Sequence, residues 1–174
     1  MMTNRLAVLA CLTLAMTASS ASAQRAPRPV ELGIDGGLTF GLDDPNITLV
    51  NLPVQAFRVG FFISDRVSIE PRFNFTSFSG GGTSAQSYVV ELGALFHPGG
   101  YRGRGLYIRP FGGIIGFNSE TGDDSDPYLG AGVGFRFPFA DRRLATRVEG
   151  NLSHLFDPGS TALGLLFGLS FFTR

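Results

Sequence analysis

The sequence predicts an all-β protein, an eight-stranded antiparallel up-and-down transmembrane β-barrel. Three observations predict this fold. Apolar and polar residues alternate through repeated segments, as they do along strands with two different faces. Charged residues of both signs occur in the middle of these segments, with glycines between them. Beyond the first 23 residues there is no apolar run of the length that a membrane helix needs.

Composition excludes several other classes of protein. The 174 residues carry 14 basic and 14 acidic side chains, so zero net charge gives no reason to expect a nucleic-acid partner. A single cysteine, Cys11, cannot form an internal disulfide or a paired-cysteine zinc site. With 44% hydrophobic and 16% charged residues, the chain is too apolar to be disordered.

The first 23 residues are predicted to be a cleaved signal peptide. Arg5 precedes the apolar run Leu6–Ala18, and Ala21-Ser22-Ala23 supplies the small residues of a cleavage site. A membrane anchor would need a longer run, and Cys11 lies too near the start for lipidation. Residues 24–29 then form a short leader, and residues 30–174 form the barrel domain.

Eight segments show the alternation of strands. It is clearest in the third, fourth, sixth and eighth, whereas Gly112, Gly113 and Gly116 blur the phase of the fifth. Their lengths suit tilted strands that cross a bilayer. The predicted strands are Leu32–Phe40, Ala56–Ile63, Val67–Phe75, Tyr88–Phe96, Leu106–Phe117, Tyr128–Phe137, Leu144–Leu155 and Leu163–Phe171.

The connectors between these strands alternate in charge, which supports the strand count. An up-and-down meander places alternate connectors at opposite ends, here named the acidic end and the basic end. The odd-numbered connectors contain no arginine and carry Asp43, Asp44, Glu120, Asp123, Asp124, Asp126 and Asp157. The even-numbered connectors carry Arg66, Arg102, Arg104, Arg142 and Arg143, with only Asp65 and Asp141 as acids.

The mid-strand charges are predicted to face the inside of the barrel and the apolar faces to meet lipid. An eight-stranded barrel is just wide enough for side chains to fill, and glycines would leave room for paired charges. The predicted interior charge network is Arg58, Glu70, Arg72, Glu91, Arg136, Arg147 and Glu149. Aromatic residues near strand ends, including Tyr107 and Tyr128, are predicted to form interfacial girdles. An exported soluble barrel is the alternative, with the two faces reversed.

This pattern resembles the small outer-membrane β-barrel family of OmpA, OmpX and OmpW type. The resemblance is carried by the signal peptide, the eight alternating segments and the final strand Gly164–Phe172. It implies insertion into the outer membrane of a Gram-negative cell by the barrel-assembly machinery, which reads the last strand. Such strands typically end on an aromatic residue, whereas Thr173 and Arg174 follow Phe172 here. We expect no periplasmic domain after the barrel.

A search for catalytic and metal-binding groups predicts no enzyme, no cofactor and no metal. Ser153 and His154 are adjacent and would point to opposite faces of a strand, so they cannot readily form a nucleophile–base pair. His97 is interpreted as a solvated turn residue. The candidate cation-binding loop Glu120, Asp123, Asp124 and Asp126 lacks the spacing of a calcium loop. It is therefore interpreted as a solvated acidic loop.

The sequence predicts periplasmic termini and an acidic end that faces outward, against lipopolysaccharide. The first functional hypothesis is a structural or surface-interaction protein with a filled, polar interior. The alternative, suggested by the OmpW resemblance, is a narrow channel or carrier for small solutes, with Phe62, Leu95 and Leu166 along an apolar path. A lipid-modifying enzyme is a third and weaker hypothesis. A further hypothesis is that the acidic connectors share divalent cations with lipopolysaccharide phosphates.

Overall fold

Eight antiparallel strands form a closed barrel, in which each strand pairs with the next and the last pairs with the first. The structure, a computed structural model, describes residues 29–43, 48–80, 83–100, 105–119, 122–139, 143–157 and 159–173. The strands are β1 (Val30–Gly41), β2 (Thr48–Phe62), β3 (Val67–Gly80), β4 (Thr83–Phe96), β5 (Gly105–Ser119), β6 (Gly122–Phe139), β7 (Leu144–Leu155) and β8 (Thr161–Phe172). The predicted fold class and all eight strands are confirmed. The predicted signal peptide and all of the leader except Pro29 lie outside the described residues.

Several strands extend further towards the acidic end than the alternation predicts. β2 begins at Thr48, and β6 begins at Gly122 because its pairing with β5 continues to Ser119. Asp123, Asp124 and Asp126 therefore belong to a strand. The prediction of an acidic loop at these residues is wrong. The strand could not be recognised from the sequence, because neither face of this part of β6 is apolar and its residues do not alternate.

The two faces of the wall have the polarity of a barrel in lipid. In β4, Val90 and Leu92 are about half exposed on the outside, whereas Glu91 between them is buried inside. The other strands repeat this arrangement, which leaves large apolar side chains around the outer surface. Examples from successive strands are Leu32, Phe57, Phe73, Leu92, Ile108, Val133, Leu152 and Phe167. The described residues contain no helix that is long and apolar enough to span a membrane.

Two of the predicted girdle aromatics lie inside the barrel instead. The side chains of Tyr107 and Tyr128 are buried, and each hydroxyl donates a hydrogen bond to an interior carboxylate. Their position in the alternation, on the same face as the charges, outweighs their position near a strand end. The girdle prediction is therefore wrong for these two residues.

Candidate functional site: a charge network inside the barrel

Ten charged side chains of the described residues share the barrel interior, and their formal charges balance. Five are arginines and five are carboxylates, and each of the ten is at least nine-tenths buried. The ten residues are Glu31, Asp35, Arg58, Glu70, Arg72, Glu91, Arg109, Arg136, Arg147 and Glu149. Because a buried charge is costly unless it is paired, this balance is what allows so many to occupy one interior.

Arg58 anchors the part of the network that joins β1 to β2. Its Nε donates to both carboxylate oxygens of Asp35, at 3.1 and 2.9 Å, and its Nη1 donates to Glu31. Its Nη2 donates to the hydroxyl of Ser170, at 2.7 Å. All three nitrogens of the guanidinium thus have partners on β1 or β8, which fixes its position across the lumen.

Arg72 connects three carboxylates near the middle of the wall. Its terminal nitrogens lie 3.4 Å from Asp35, 3.4 Å from Glu70 and 3.5 Å from Glu91. The register places Arg72 directly opposite Glu91 across the β3–β4 pair. Arg72 therefore links the β1–β2 group to the carboxylates of β3 and β4.

Glu149 is the centre of the second half of the network. It accepts hydrogen bonds from Arg109, with a shortest distance of 2.6 Å, and from the side chain of Arg147. The hydroxyl of Tyr107 donates to it at 2.9 Å. Arg109 also donates to Glu91, which takes a further hydrogen bond of 2.9 Å from Tyr128. Three strands, β5, β6 and β7, thus supply donors to two carboxylates.

Arg136 is held differently from the other four arginines. Its Nη2 lies 2.7 Å from Glu31, and its guanidinium stacks 5.3 Å from the centre of the Tyr107 ring. Within the described residues, its side-chain nitrogens have no partner in hydrogen-bond geometry. It also lies opposite Arg147 across the β6–β7 pair. Coulombic attraction and ring stacking therefore hold Arg136, without directional bonds.

Inward-facing glycines make room for these long side chains. A Cβ built on Gly33 would overlap the guanidinium of Arg58, and one on Gly134 would overlap the Tyr107 ring. A Cβ on Gly132 would lie 2.8 Å from a carboxylate oxygen of Glu149. These glycines are explained by close approach, since the lumen of an eight-stranded barrel is narrow.

The structure brings together all seven residues of the predicted interior network and adds three that the sequence reasoning missed. The additional residues are Glu31, Asp35 and Arg109. Glu31 lies just before the predicted start of β1. Asp35 shares the phase of the inward face, so the alternation could have found it. Arg109 was hidden by the glycines that blur the phase of β5.

His97 is buried, so its interpretation as a solvated turn residue is wrong. Its ring lies 6.0 Å from that of Phe62 and 6.1 Å from that of Tyr107, and its Nε2 is 3.4 Å from the Ser68 hydroxyl. Burial, aided by the positive charge of Arg136, lowers the pKa of His97 to about 4. His97 continues the alternation of the buried residues Glu91, Gly93 and Leu95 one position beyond the end of β4, so its ring lies inside the basic end of the barrel.

The other candidate residues do not assemble into a reactive site. Outward-facing His154 lies 3.1 Å from the Thr161 hydroxyl through Nδ1, whereas Ser153 lies opposite inward-facing Gly130. Glu120 lies outside the described residues. The part of the chain that the structure describes contains no group of three or more His, Cys, Asp or Glu that could hold a metal ion.

Comparisons with known proteins place this architecture among solved structures. The Ail attachment invasion locus protein of Yersinia pestis superposes with a TM-score of 0.53 at 16% identity, over 85% of this chain and 100% of that one. The N-terminal β-barrel domain of Pseudomonas aeruginosa OprF gives 0.54 at 18%, over 84% and 100%. Neisserial surface protein A gives 0.54 at 9%, over 82% and 95%. The chain has the fold of the small eight-stranded outer-membrane barrels.

The likeness to these outer-membrane barrels is one of fold. No protein-family model matches the sequence. No curated protein matches it either. The shared fold covers most of the chain, and what the interior and the two ends of this barrel do must be argued from its own residues.

Proposed function

We propose that the protein is an integral outer-membrane barrel with a structural or surface-interaction role, with its acidic end outward and its termini in the periplasm. The inverted polarity of the wall carries this proposal: large apolar side chains cover the outside while ten charges fill the inside. Soluble proteins rarely expose so much contiguous apolar surface. In lipid the same surface is favourable, and closing the barrel leaves no unpaired strand edge at membrane depth.

The packing of the interior favours this role over that of a narrow channel or carrier. An apolar path would use Phe62, Leu95 and Leu166. Phe62 and Leu95 are instead buried near the basic end, where the Phe62 ring lies 6.0 Å from that of His97, and only Leu166 is partly exposed. Between the level of Phe62 and Leu95 and the acidic end, ion-paired arginines extend across the lumen. No catalytic role is proposed, because His154 faces outward, away from Ser153.

Insertion and surroundings follow from the same proposal. The outer surface would contact lipid and, at the acidic end, lipopolysaccharide. The barrel-assembly machinery would read β8, whose end is continued by Thr173, since the Thr173 N–H donates to the carbonyl of Val30 at 2.9 Å.

If divalent cations bridge the acidic end to lipopolysaccharide, calcium titrated into the lipid-embedded protein should reduce protease cleavage at the acidic end. Unchanged cleavage would contradict the bridge.

Cell fractionation followed by gel electrophoresis tests the membrane assignment. The protein should appear in the outer-membrane fraction, resist detergent without heating, and change its mobility once boiled. An epitope tag after Glu120 should be reachable on intact cells, whereas the same tag after Arg102 should not. Recovery in the soluble fraction, or the reverse pattern of tag access, would overturn the proposal.

Planar-bilayer recording separates the two functional hypotheses. The purified protein at neutral pH should show no stable conductance, because the ion-paired side chains close the lumen. Arg109→Ala and Tyr128→Ala together should open part of the lumen and serve as a positive control for insertion. Steady conductance by the unaltered protein would favour the channel instead.

A further inference from the structure

The barrel interior is open to solvent at the acidic end and closed at the basic end. Inward-facing Gly113 and Gly130 are half-buried, although neither carries a side chain that could reach solvent. The inward glycines beside the charge network, such as Gly132 and Gly134, are buried. Towards the basic end, the side chain of Leu95 is fully buried. Solvent therefore enters the lumen from the acidic end and stops at the charge network.

Four side chains form the floor of this opening. They are Arg72, Glu91, Phe111 and Tyr128, which are 6–8% exposed, whereas the other eight charged residues of the network are at most 3% exposed. The rings of Phe111 and Tyr128 meet edge to face, with 6.2 Å between their centres. Nε of Arg72 is buried and has no hydrogen-bond partner within the described residues. The floor thus offers two aromatic rings and a hydrogen-bond donor that lacks an acceptor.

Uncharged hydroxyl and amide groups line the wall between this floor and the acidic end. The register places them on the inward face, since two of them lie opposite Gly132 and Gly130 and two lie opposite each other across β3 and β4. Each can take part in hydrogen bonds as both donor and acceptor. The half-buried wall residues are Asn74, Thr76, Ser87, Asn151 and Ser153. The floor and the wall together are named the acidic-end cup.

The chemistry of the acidic-end cup fits a saccharide. A pyranose ring presents C–H groups on its faces and hydroxyl groups around its edge. The rings of Phe111 and Tyr128 suit the C–H faces, whereas Arg72 Nε and the polar groups of the wall suit the hydroxyls. A purely apolar ligand would displace water from these polar groups without replacing its hydrogen bonds. Ligand sites typically combine apolar surface with a few such polar groups.

The rim of the acidic-end cup selects the charge of the ligand. Asp126 is half-buried on the inward face of β6, two residues beyond Tyr128 towards the acidic end. Asp124 lies on the same face, two residues further along. No arginine occurs among the described residues of the acidic end. The rim carboxylates would therefore attract an ammonium group and repel an anion.

We propose that the acidic-end cup binds an amino sugar of monosaccharide size. The ring lies over Phe111 and Tyr128, a hydroxyl accepts a hydrogen bond from Arg72 Nε, and the ammonium group lies towards Asp126. This proposal deepens the proposed surface-interaction role and rests on it for access from outside the cell. Binding is tested on the isolated protein, where both ends of the barrel are reachable, so either proposal can fail without the other.

The test compares three sugars of similar size and different charge. The folded protein in lipid nanodiscs is titrated with glucosamine, glucose or glucuronate, and binding is followed by saturation-transfer difference NMR against empty nanodiscs. Glucosamine should bind roughly threefold more tightly than glucose, as expected for one solvent-exposed ion pair at the rim. Glucuronate should bind roughly tenfold more weakly than glucosamine, because attraction is replaced by repulsion. This comparison needs no variant of the protein.

Matched variants separate the wall from the rim. Thr76→Val and Asn151→Leu combined keep the size of the wall but remove two hydrogen-bonding groups, and should weaken the binding of all three sugars roughly tenfold. Gln86→Leu, a similar change on the outer face, should alter binding less than about twofold. Asp126→Asn should reduce the affinity for glucosamine to that for glucose.

Three results would each overturn the proposal. They are saturation transfer to glucosamine no greater than with empty nanodiscs, glucuronate binding as tight as that of glucosamine, and full affinity in the double wall variant. A preference for glucosamine over glucose that survives Asp126→Asn would overturn the role of the rim. The predicted order of the three sugars, lost with the wall groups and insensitive to Gln86→Leu, would support the proposal.

Discussion

Glu149 shows how much of the interior depends on one side chain. It accepts hydrogen bonds from Arg109, Arg147 and Tyr107, all of them buried. Glu149→Gln keeps the shape but leaves five interior arginines against four carboxylates. Removing one partner of a buried ion pair typically costs about 3–5 kcal/mol. We expect a loss of that size in the free energy of unfolding by urea in lipid vesicles, followed by gel mobility.

The control for Glu149→Gln is Asp65→Asn, an equal change of charge at an exposed connector. It should alter the unfolding free energy by no more than about 0.5 kcal/mol. If Glu149→Gln fell within about 1 kcal/mol of the unaltered protein, the interior would be far more hydrated than the buried network implies.

His97 should make the stability of the barrel depend on pH. Its pKa is lowered from 6.5 to about 4 in the folded state, so below pH 6.5 the unfolded state binds the proton more readily. Stability from this group should therefore be complete above about pH 6.5 and should fall as the pH drops towards 4. Since one pKa unit corresponds to about 1.4 kcal/mol, the loss should not exceed about 3 kcal/mol.

The measurement for His97 compares urea unfolding of the unaltered protein and His97→Gln across this pH range. The difference between them isolates the imidazole from the carboxylates. His97→Gln should show a flatter profile between pH 6.5 and 4. Parallel profiles would mean that the imidazole is not excluded from water at the basic end.

At the scale of elements, β4 tests which face of the wall meets lipid. Val90 is exposed on the outside near the middle of the strand. Val90→Arg should cost about 2–4 kcal/mol of unfolding free energy, as for a basic residue near the bilayer midplane. Gln86→Arg, on the same face but near the acidic end, should cost only about 0–1 kcal/mol. Equal costs at the two positions would show that Val90 does not face the centre of a bilayer.

Period-two alternation made the strands predictable from sequence, and it failed where the solvent on the two faces is the same. Within the bilayer, lipid outside and charge inside make adjacent residues differ, so Val90, Glu91 and Leu92 could be assigned at once. Beyond the bilayer, at the acidic end, water lies on both sides of β6. The residues around Asp123 and Asp124 therefore do not alternate between apolar and polar. Contacts between distant strands, such as Tyr107 with Glu149, leave no local pattern either.

The molecule as a whole reverses the arrangement of a soluble barrel, because its apolar side chains lie on the outside and its paired charges lie on the inside. The interior balances five arginines with five carboxylates, whereas the charges outside it lie at the two ends. Among the described residues outside the network, Arg66 and Arg143 lie at the basic end with the single acid Asp65. Five acids lie at the acidic end: Asp43, Asp123, Asp124, Asp126 and Asp157. The chain is therefore neutral inside and carries opposite charges on the two sides of the proposed membrane.

The whole-molecule prediction concerns the solvent that this arrangement requires. Apolar side chains such as Phe57, Leu92 and Leu129, each more than half exposed, ring the barrel in a band that water would have to cover. Since that surface exceeds what monomers tolerate, the chain without residues 1–23 should aggregate when diluted from urea into buffer. Diluted into detergent micelles it should fold, and sedimentation should find one chain per micelle or a small oligomer. A compact monomer in buffer alone would show that the apolar face is not built for lipid, because nothing but water would then cover it.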